Sequence, residues 1–390
     1  MSMNIKELLN PVVANIPPSG IRKFFDVAAE MEDAISLGVG EPDFVTPWHI
    51  RDEGIYSLEK GRTHYTSNSG LKELRIEISN YLNRRFELKY NPMSQVVVTV
   101  GGSEAIDLFI RSVVKPGDEV LIPEPSFVCY SPITALAGGV PVPIVTKAEN
   151  EFRLTPQELK AAITPKTKVL VLPFPNNPTG AVMRKEHLEA LAEVLKGTDI
   201  LVLADEIYAE LTYGSQRHVS FASIPEMYER TVIVSGFSKA YAMTGWRLGY
   251  ACGHPDLIKA MTKVHQFAIM SAPTTAQYAA IEALKNGDND IAEMRAEYDM
   301  RRHVMVQGFN DMGLDCFEPE GAFYTFPCIK STGLNSNDFC EKLLYDKRVA
   351  VVPGTAFGAS GEGFIRCSYA YSIKNINIAL ERIEAFVKGR

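Results

Sequence analysis

The sequence predicts an α/β protein. A large domain with a mostly parallel, seven-stranded-type sheet between helices is joined to a smaller α+β domain. Three observations carry this expectation. The 390 residues exceed the size at which a single hydrophobic core keeps growing, so two domains are the default. From about residue 95 to residue 252, short β-branched apolar runs alternate with amphipathic stretches, the pattern of parallel strands covered by helices on both faces. Beyond residue 312 the alternation gives way to short strands mixed with helical segments. The expected division is 45–285 for the large domain, with 1–44 and 286–390 forming the small one.

In chain order, a short polar helix leads through Pro17-Pro18-Ser19-Gly20 to a helical stretch around Ile21–Glu30. Gly40-Glu41-Pro42-Asp43 is a cluster of breakers, so its backbone lies in a loop and can approach a ligand closely; a plain turn reads the same way. A second polar loop, 64–70, carries Tyr65, and Leu71–Phe86 has helical spacing. Gln95–Val100 reads as a buried strand running into Gly101-Gly102-Ser103-Glu104 and a helical pattern from Ala105 to Val114. A strand, two glycines and a helix start present backbone N–H groups and a positive dipole end to a phosphate. Many βα turns use glycine for packing alone, and the spacing does not match the dinucleotide fingerprint.

Further strands are expected at Glu119–Ile122, Val140–Val145, Lys168–Leu172, Ile200–Ala204, Thr231–Val234 and Leu248–Cys252. Thr155-Pro156-Gln157-Glu158 starts a helix with a capping box and proline in the first turn, and Lys185–Lys196 has helical spacing. From about Pro273 one long helical pattern runs to Met312 as a connector, and Leu314–Arg390 reads as α+β with a final helix.

Composition narrows the function. With 40 basic against 47 acidic residues the net charge is −7, which argues against a nucleic-acid surface. No apolar run approaches the roughly 18 residues of a membrane span, and the amino terminus lacks the apolar region of a signal peptide. The six cysteines form no CxxC pair and read as reduced thiols in a cytoplasmic enzyme. Neither HExxH nor a Walker loop is present, and no metal site is expected.

The chemistry gathers where predicted strands end. Lys239 follows the strand Thr231–Val234 among hydroxyl and glycine residues. Burial there pushes an ammonium toward the neutral, nucleophilic amine that a Schiff-base lysine needs, although a loop lysine on a solvated turn fits the same segment. Asp205 emerges from Ile200–Ala204 and needs a cationic or hydrogen-bonding partner; a protonated pyridine ring supplies one, and a helix N-cap is the other reading. Asn177 and Tyr208 are neutral donors for a phenolate oxygen, or turn and core residues. Arg247 offers a fork for a phosphate and Arg366 one for a carboxylate, while Phe127 can stack on an aromatic ring or simply fill the core. Together these are the equipment for pyridoxal 5'-phosphate.

Asn176-Asn-Pro-Thr-Gly180, Asp205-Glu-Ile-Tyr208, Ser238-Lys239 with Met243-Thr-Gly-Trp-Arg247, and Phe364-Ile-Arg366 resemble the class I/II aminotransferases of pyridoxal-phosphate fold type I. The match covers nearly the whole chain in the family's order. The resemblance implies that Lys239 holds the cofactor covalently and later moves the proton, that Asp205 pairs with the ring nitrogen, and that Asn177 and Tyr208 bond the phenolate oxygen. It implies Phe127 stacking on the ring, and the N–H groups of Gly102, Ser103 and Glu104 holding the phosphate with Ser238 and Arg247. Arg366 would bind the substrate carboxylate with help from Gly40. Tyr65 would reach the neighbouring subunit's cofactor, which implies a homodimer with shared active sites. Two departures stand out. Gly236 replaces a phosphate-binding serine of many relatives, and Ser103 stands where some dicarboxylate-specific relatives carry a lysine. The expected activity is transamination between an L-amino acid, aspartate or aromatic, and a 2-oxo acid such as 2-oxoglutarate. The alternatives are a C–S β-lyase on the same fold and a cofactor-sensing regulator without turnover.

Overall fold

Seven strands build the central sheet: β1 (Val96–Thr99), β2 (Glu119–Glu124), β3 (Val140–Val145), β4 (Thr167–Leu172), β5 (Leu201–Asp205), β6 (Thr231–Gly236) and β7 (Gly249–Cys252). The computed structural model describes residues 3–18, 20–21, 30–214 and 217–389. The strand order is β1-β7-β6-β5-β4-β2-β3, and β7 alone runs antiparallel to both of its neighbours. Every residue of β1 and β7 is buried, as strands covered on both faces require. The edge strand β3 differs: it is largely exposed and carries Pro141 and Pro143, which blunt pairing with another chain.

The large body's helices are α1 (Trp48–Glu59), α2 (Lys72–Phe86), α3 (Gly102–Val113), α4 (Tyr130–Leu136), α5 (Pro156–Ala162), α6 (Lys185–Leu195), α7 (Pro255–Ala268) and α8 (Thr274–Asn286), and α9 (Asp288–Asp311) leads from it into a second core. Alternate strand residues face opposite layers. Val96 and Val98 pack with Leu74, Ile78 and Ala280, whereas Val97 packs with Ile106, Phe109 and Met261. Leu121 and Leu170 bury Leu159 and Leu191. The expected capping box of α5 is present, with Thr155 and Glu158 bonding reciprocally.

A further core gathers Tyr298 and Phe309 of α9, Phe323, Phe339 of α10 (Ser336–Lys347) and Ile383 of α11 (Ile373–Lys388). It packs on a three-stranded antiparallel sheet of β8 (Tyr324–Thr325), β9 (Val352–Pro353) and β10 (Ile365–Ser368). Ile35–Ser36 pairs in parallel with Val349–Ala350, which ties the early chain to its end.

Some expectations change. The helical pattern from Pro273 is two helices, α8 and α9, meeting at Gly287, where a Cβ would stand 2.7 Å from the Ala283 carbonyl and 2.8 Å from Tyr241. Helices α1 and α7 lie where the sequence pattern predicts none, and β2 runs on through Glu124. The polar N-terminal helix is two short turns, Ile5–Leu8 and Pro11–Asn15, and the helical stretch around Ile21–Glu30 lies, apart from its end residues, outside the described residues.

Candidate active site

At the carboxyl ends of β1, β4, β5 and β6 a cavity of about 620 Å³ opens toward the second core. This is where open α/β sheets bind ligands. Its lining includes Gly40, Gly102, Ser103, Phe127, Asn177, Asp205, Tyr208, Ser238, Lys239, Arg247 and Arg366, so eleven of the thirteen expected residues converge. The other two stand apart. Tyr65 is 82% exposed beside Thr63 and Ser271–Thr274, and the side chain of Glu104 turns away toward His265.

Lys239 is partly buried, and its Nζ donates to the Gly40 carbonyl oxygen at 2.6 Å. Burial, reinforced by Arg366 and Arg247 and opposed by Glu41 and Asp205, pushes its pKa down to about 8. A lysine on a solvated turn would not have this environment. Asp205 ends β5 and is followed by turns, so it caps no helix. Its Oδ2 accepts from the Tyr130 hydroxyl at 2.7 Å and its Oδ1 from the Ile207 N–H at 3.3 Å. Burial pushes the carboxyl up to about 6, against the pull of these two donors. Such a carboxylate calls for a cationic partner.

Arg366, on β10, is 2% exposed yet faces no carboxylate among the described residues. It donates through Nη1 to Asn177 Oδ1 at 2.9 Å and through Nη2 to the Gly38 carbonyl, while Nε has no partner. Its guanidinium carbon lies 4.5 Å from the centre of the Tyr324 ring and 4.8 Å from that of Phe357. Burial lowers its pKa. A buried cation without a counter-charge is costly unless an anion completes it. Arg247 is exposed at the cavity's edge, with φ of +54°, and donates to the Thr244 carbonyl at 3.1 Å. Gly101 has φ of +78°, and a Cβ there would sit 2.7 Å from Arg247 Nη2, so this glycine makes room for the guanidinium. Gly236 also has a local reason: its Cβ would be 3.0 Å from Gly249 Cα and from the Leu248 carbonyl, so a serine there needs the facing backbone to give by a few tenths of an ångström.

Sequence reasoning missed two tyrosines. Tyr130 bonds Asp205, and the Tyr324 hydroxyl meets that of Tyr208 at 2.8 Å. Tyr324 lies in Gly321-Ala-Phe-Tyr-Thr-Phe326, an aromatic-rich run that reads as core, with no charged neighbour to mark its hydroxyl as functional.

The comparisons agree with this geometry. Residues 32–383 match the family described as aminotransferase class I and II. The chain is 55% identical to the putative aminotransferase YugH of Bacillus subtilis, over 97% of this chain and 98% of that one. It is 45% identical to the aspartate aminotransferase of Pyrococcus abyssi, over 96% and 97%. The solved aromatic aminotransferase of Pyrococcus horikoshii superposes with a TM-score of 0.90 at 44% identity, covering 94% of this chain and 99% of that one. The chain belongs to the class I and II aminotransferases. It is an enzyme of transamination on the fold-type-I scaffold.

Proposed function

We propose that the protein binds pyridoxal 5'-phosphate in this cavity and moves an amino group from L-aspartate or an aromatic L-amino acid to 2-oxoglutarate in a ping-pong cycle. The observation that carries this reading is Arg366, a buried guanidinium without a counter-charge among the described residues, in the same cavity as the amine of Lys239. Relatives named for aspartate and for aromatic amino acids support the choice of donor.

The residues fit the cofactor. Asp205 is a buried carboxylate wanting a cation, as a protonated ring nitrogen is. Asn177 spends its Oδ1 on Arg366, which leaves its NH₂ to donate with the Tyr208 hydroxyl to a phenolate oxygen. Phe127 offers a ring face. The N–H groups of Gly102, Ser103 and Glu104 begin α3 and, with Ser238 and Arg247, would hold the phosphate. Bound there, pyridoxal phosphate supplies an electron sink for negative charge at the substrate Cα. Lys239 would be its point of attachment and afterwards, as a neutral amine, would take the proton from the substrate Cα, hold it on Nζ and hand it back from the same side. Arg366, with the Gly40 backbone, fixes the substrate α-carboxylate and hence the direction in which the Cα proton points.

We also propose a homodimer with shared active sites. Tyr65, Trp48 and Phe267 are 82%, 61% and 84% exposed, which suits burial against a second copy, with Tyr65 reaching that copy's cofactor. The domain division at 45–285 against 1–44 and 286–390, and a cytoplasmic location, belong to the same reading. Among the described residues no helix is long and apolar enough to cross a membrane.

The test is a single-turnover absorbance scan of the yellow cofactor-loaded protein with a panel of L-amino acids and no acceptor. Bleaching by aspartate or an aromatic amino acid, reversed by 2-oxoglutarate, is expected. An unbleached chromophore together with pyruvate released from a sulfur amino acid would instead make it a C–S lyase.

A further inference from the structure

His265 is wholly buried in the last turn of α7, and no step of transamination requires it. Its Nδ1 lies 2.7 Å from Glu104 Oε1, and its Nε2 is buried without a partner among the described residues. A carboxylate oxygen only accepts, so the hydrogen of this bond sits on Nδ1. The other oxygen of Glu104, Oε2, accepts from the Val100 N–H at 2.5 Å. One carboxylate therefore ties the last residue before the glycine pair to a buried histidine on a different helix.

The segment between these two ties is the candidate phosphate cradle. Gly101 bends with φ of +78°, its carbonyl oxygen accepting from the Thr99 hydroxyl at 2.9 Å, and Gly102 begins α3. Behind the loop stands Gly249, where a Cβ would meet Gly101 C at 2.6 Å and Gly102 N at 2.7 Å. The loop is thus backed by bare backbone, and no side chain from β7 sets its depth. Its position rests on the hydrogen bonds to Thr99 and Glu104 and on Arg247 packed over Gly101. Glu104 also stands in the first turn of the helix whose amino end would bind an anion, and its negative charge there competes with that anion. The bond from His265 draws the carboxylate away from the cavity, whose lining does not include it.

We infer that His265 is a positioning residue for the phosphate cradle: by holding Glu104 it fixes the Val100–Ser103 loop and keeps the Glu104 carboxylate clear of the incoming phosphate. The inference rests on the proposed role of the Gly102, Ser103 and Glu104 N–H groups. It assigns His265 no contact with substrate or cofactor.

The test compares the binding of pyridoxal 5'-phosphate and of pyridoxal, which lacks the phosphate, to full-length protein freed of cofactor, followed by absorbance. The variants are His265→Phe, which keeps a ring but removes the donor, and His265→Asn, whose amide NH₂ can stand where Nδ1–H stood. Losing a hydrogen bond to a charged group predicts roughly ten- to hundredfold weaker binding of the phosphate ester by His265→Phe. Pyridoxal binding should change less than about twofold, and His265→Asn should recover most of the loss. Equal weakening of both ligands, or no weakening of either, would overturn the inference. Should His265→Phe fail to fold, His265→Met, which fills the site without a donor, is read in the same pair of titrations and must show the same phosphate-selective loss. The underlying reading fails separately, if the unsubstituted protein itself binds pyridoxal as tightly as its phosphate ester.

Discussion

The hydroxyl groups of Tyr208 and Tyr324 meet at 2.8 Å, where β5's trailing turn faces β8 of the second core. Both residues are buried, burial raises both phenol pKa values, and their rings pack edge to face at 5.9 Å. The backbone has made room for this pair. A Cβ on Gly40 would stand 2.5 Å from the Tyr324 hydroxyl, so glycine there admits a tyrosine next to Arg366. Neither phenol ionises near neutral pH, and the bond orients Tyr208's remaining capacity toward the cavity.

Replacing Tyr324 by Phe should therefore keep the fold and loosen Tyr208. A net hydrogen-bond contribution of about 1 kcal/mol implies a fall in kcat/KM of roughly fivefold. The pH at which the bound chromophore changes colour should move as well, because that value reports hydrogen bonding to the phenolate oxygen. Spectrophotometric pH titration of the loaded protein checks this, and an unmoved midpoint would show that Tyr324 only fills space.

Lys239 gives a prediction with a sign. With burial and the two arginines holding its amine at about 8, an amine-acylating reagent should label Lys239 of the cofactor-free protein with a midpoint near pH 8, well below an ordinary lysine at about 10.4. Because Arg247 contributes to the depression, Arg247→Gln should raise that midpoint. Peptide mass spectrometry across a pH series reads both, and a midpoint above 10 in the unsubstituted protein would contradict the environment described.

Asp205 predicts a dependence of stability on pH. Its folded pKa of about 6 lies above the ordinary carboxyl value of about 3.9, so the native state binds more protons between those values and loses stability as pH rises through them. Below the window the carboxyl is neutral in both states and there is no penalty. Above about pH 6 the penalty is complete, of order 3 kcal/mol from two pH units. Asp205→Asn can still accept from Tyr130 and should make the cofactor-free protein more stable at pH 7, with the gain vanishing near pH 4. Denaturant melts at the two pH values measure it. The same substitution should remove nearly all transaminase activity, since an amide holds no countercharge for a ring nitrogen.

Much of this architecture was legible in the sequence because parallel strands buried on both faces must be apolar runs, and the residues just past their ends must surround the ligand. Thr231–Val234 marked Lys239, and Ile200–Ala204 marked Asp205. What stayed hidden was partnership across the chain. Tyr130 and Tyr324 look like core aromatics until the fold brings them to Asp205 and Tyr208, 75 and 116 residues away. The break between α8 and α9 is marked locally by Asn286-Gly287-Asp288-Asn289, a turn-forming run inside the helical pattern, and the Tyr241 ring packed against Gly287 adds a reason that only the fold shows.

Arg366 sets stability against binding. Its guanidinium is buried, donates to Asn177 and Gly38, and lacks a counter-charge among the described residues, so the cofactor-free protein bears the desolvation of a cation that a bound carboxylate would offset. Arg366→Met fills similar volume without charge. It should leave the cofactor-free protein as stable or more stable, while KM for the amino acid rises on the order of a hundredfold through loss of a bidentate charge-assisted contact. The discriminating measurement compares an L-amino acid with the amine that lacks its carboxylate. The unsubstituted enzyme should prefer the amino acid strongly, and Arg366→Met should lose that preference because both substrates now lack the same contact. If the preference survives, the α-carboxylate is bound elsewhere, and the Gly40 loop, whose backbone already receives Lys239, becomes the place to look.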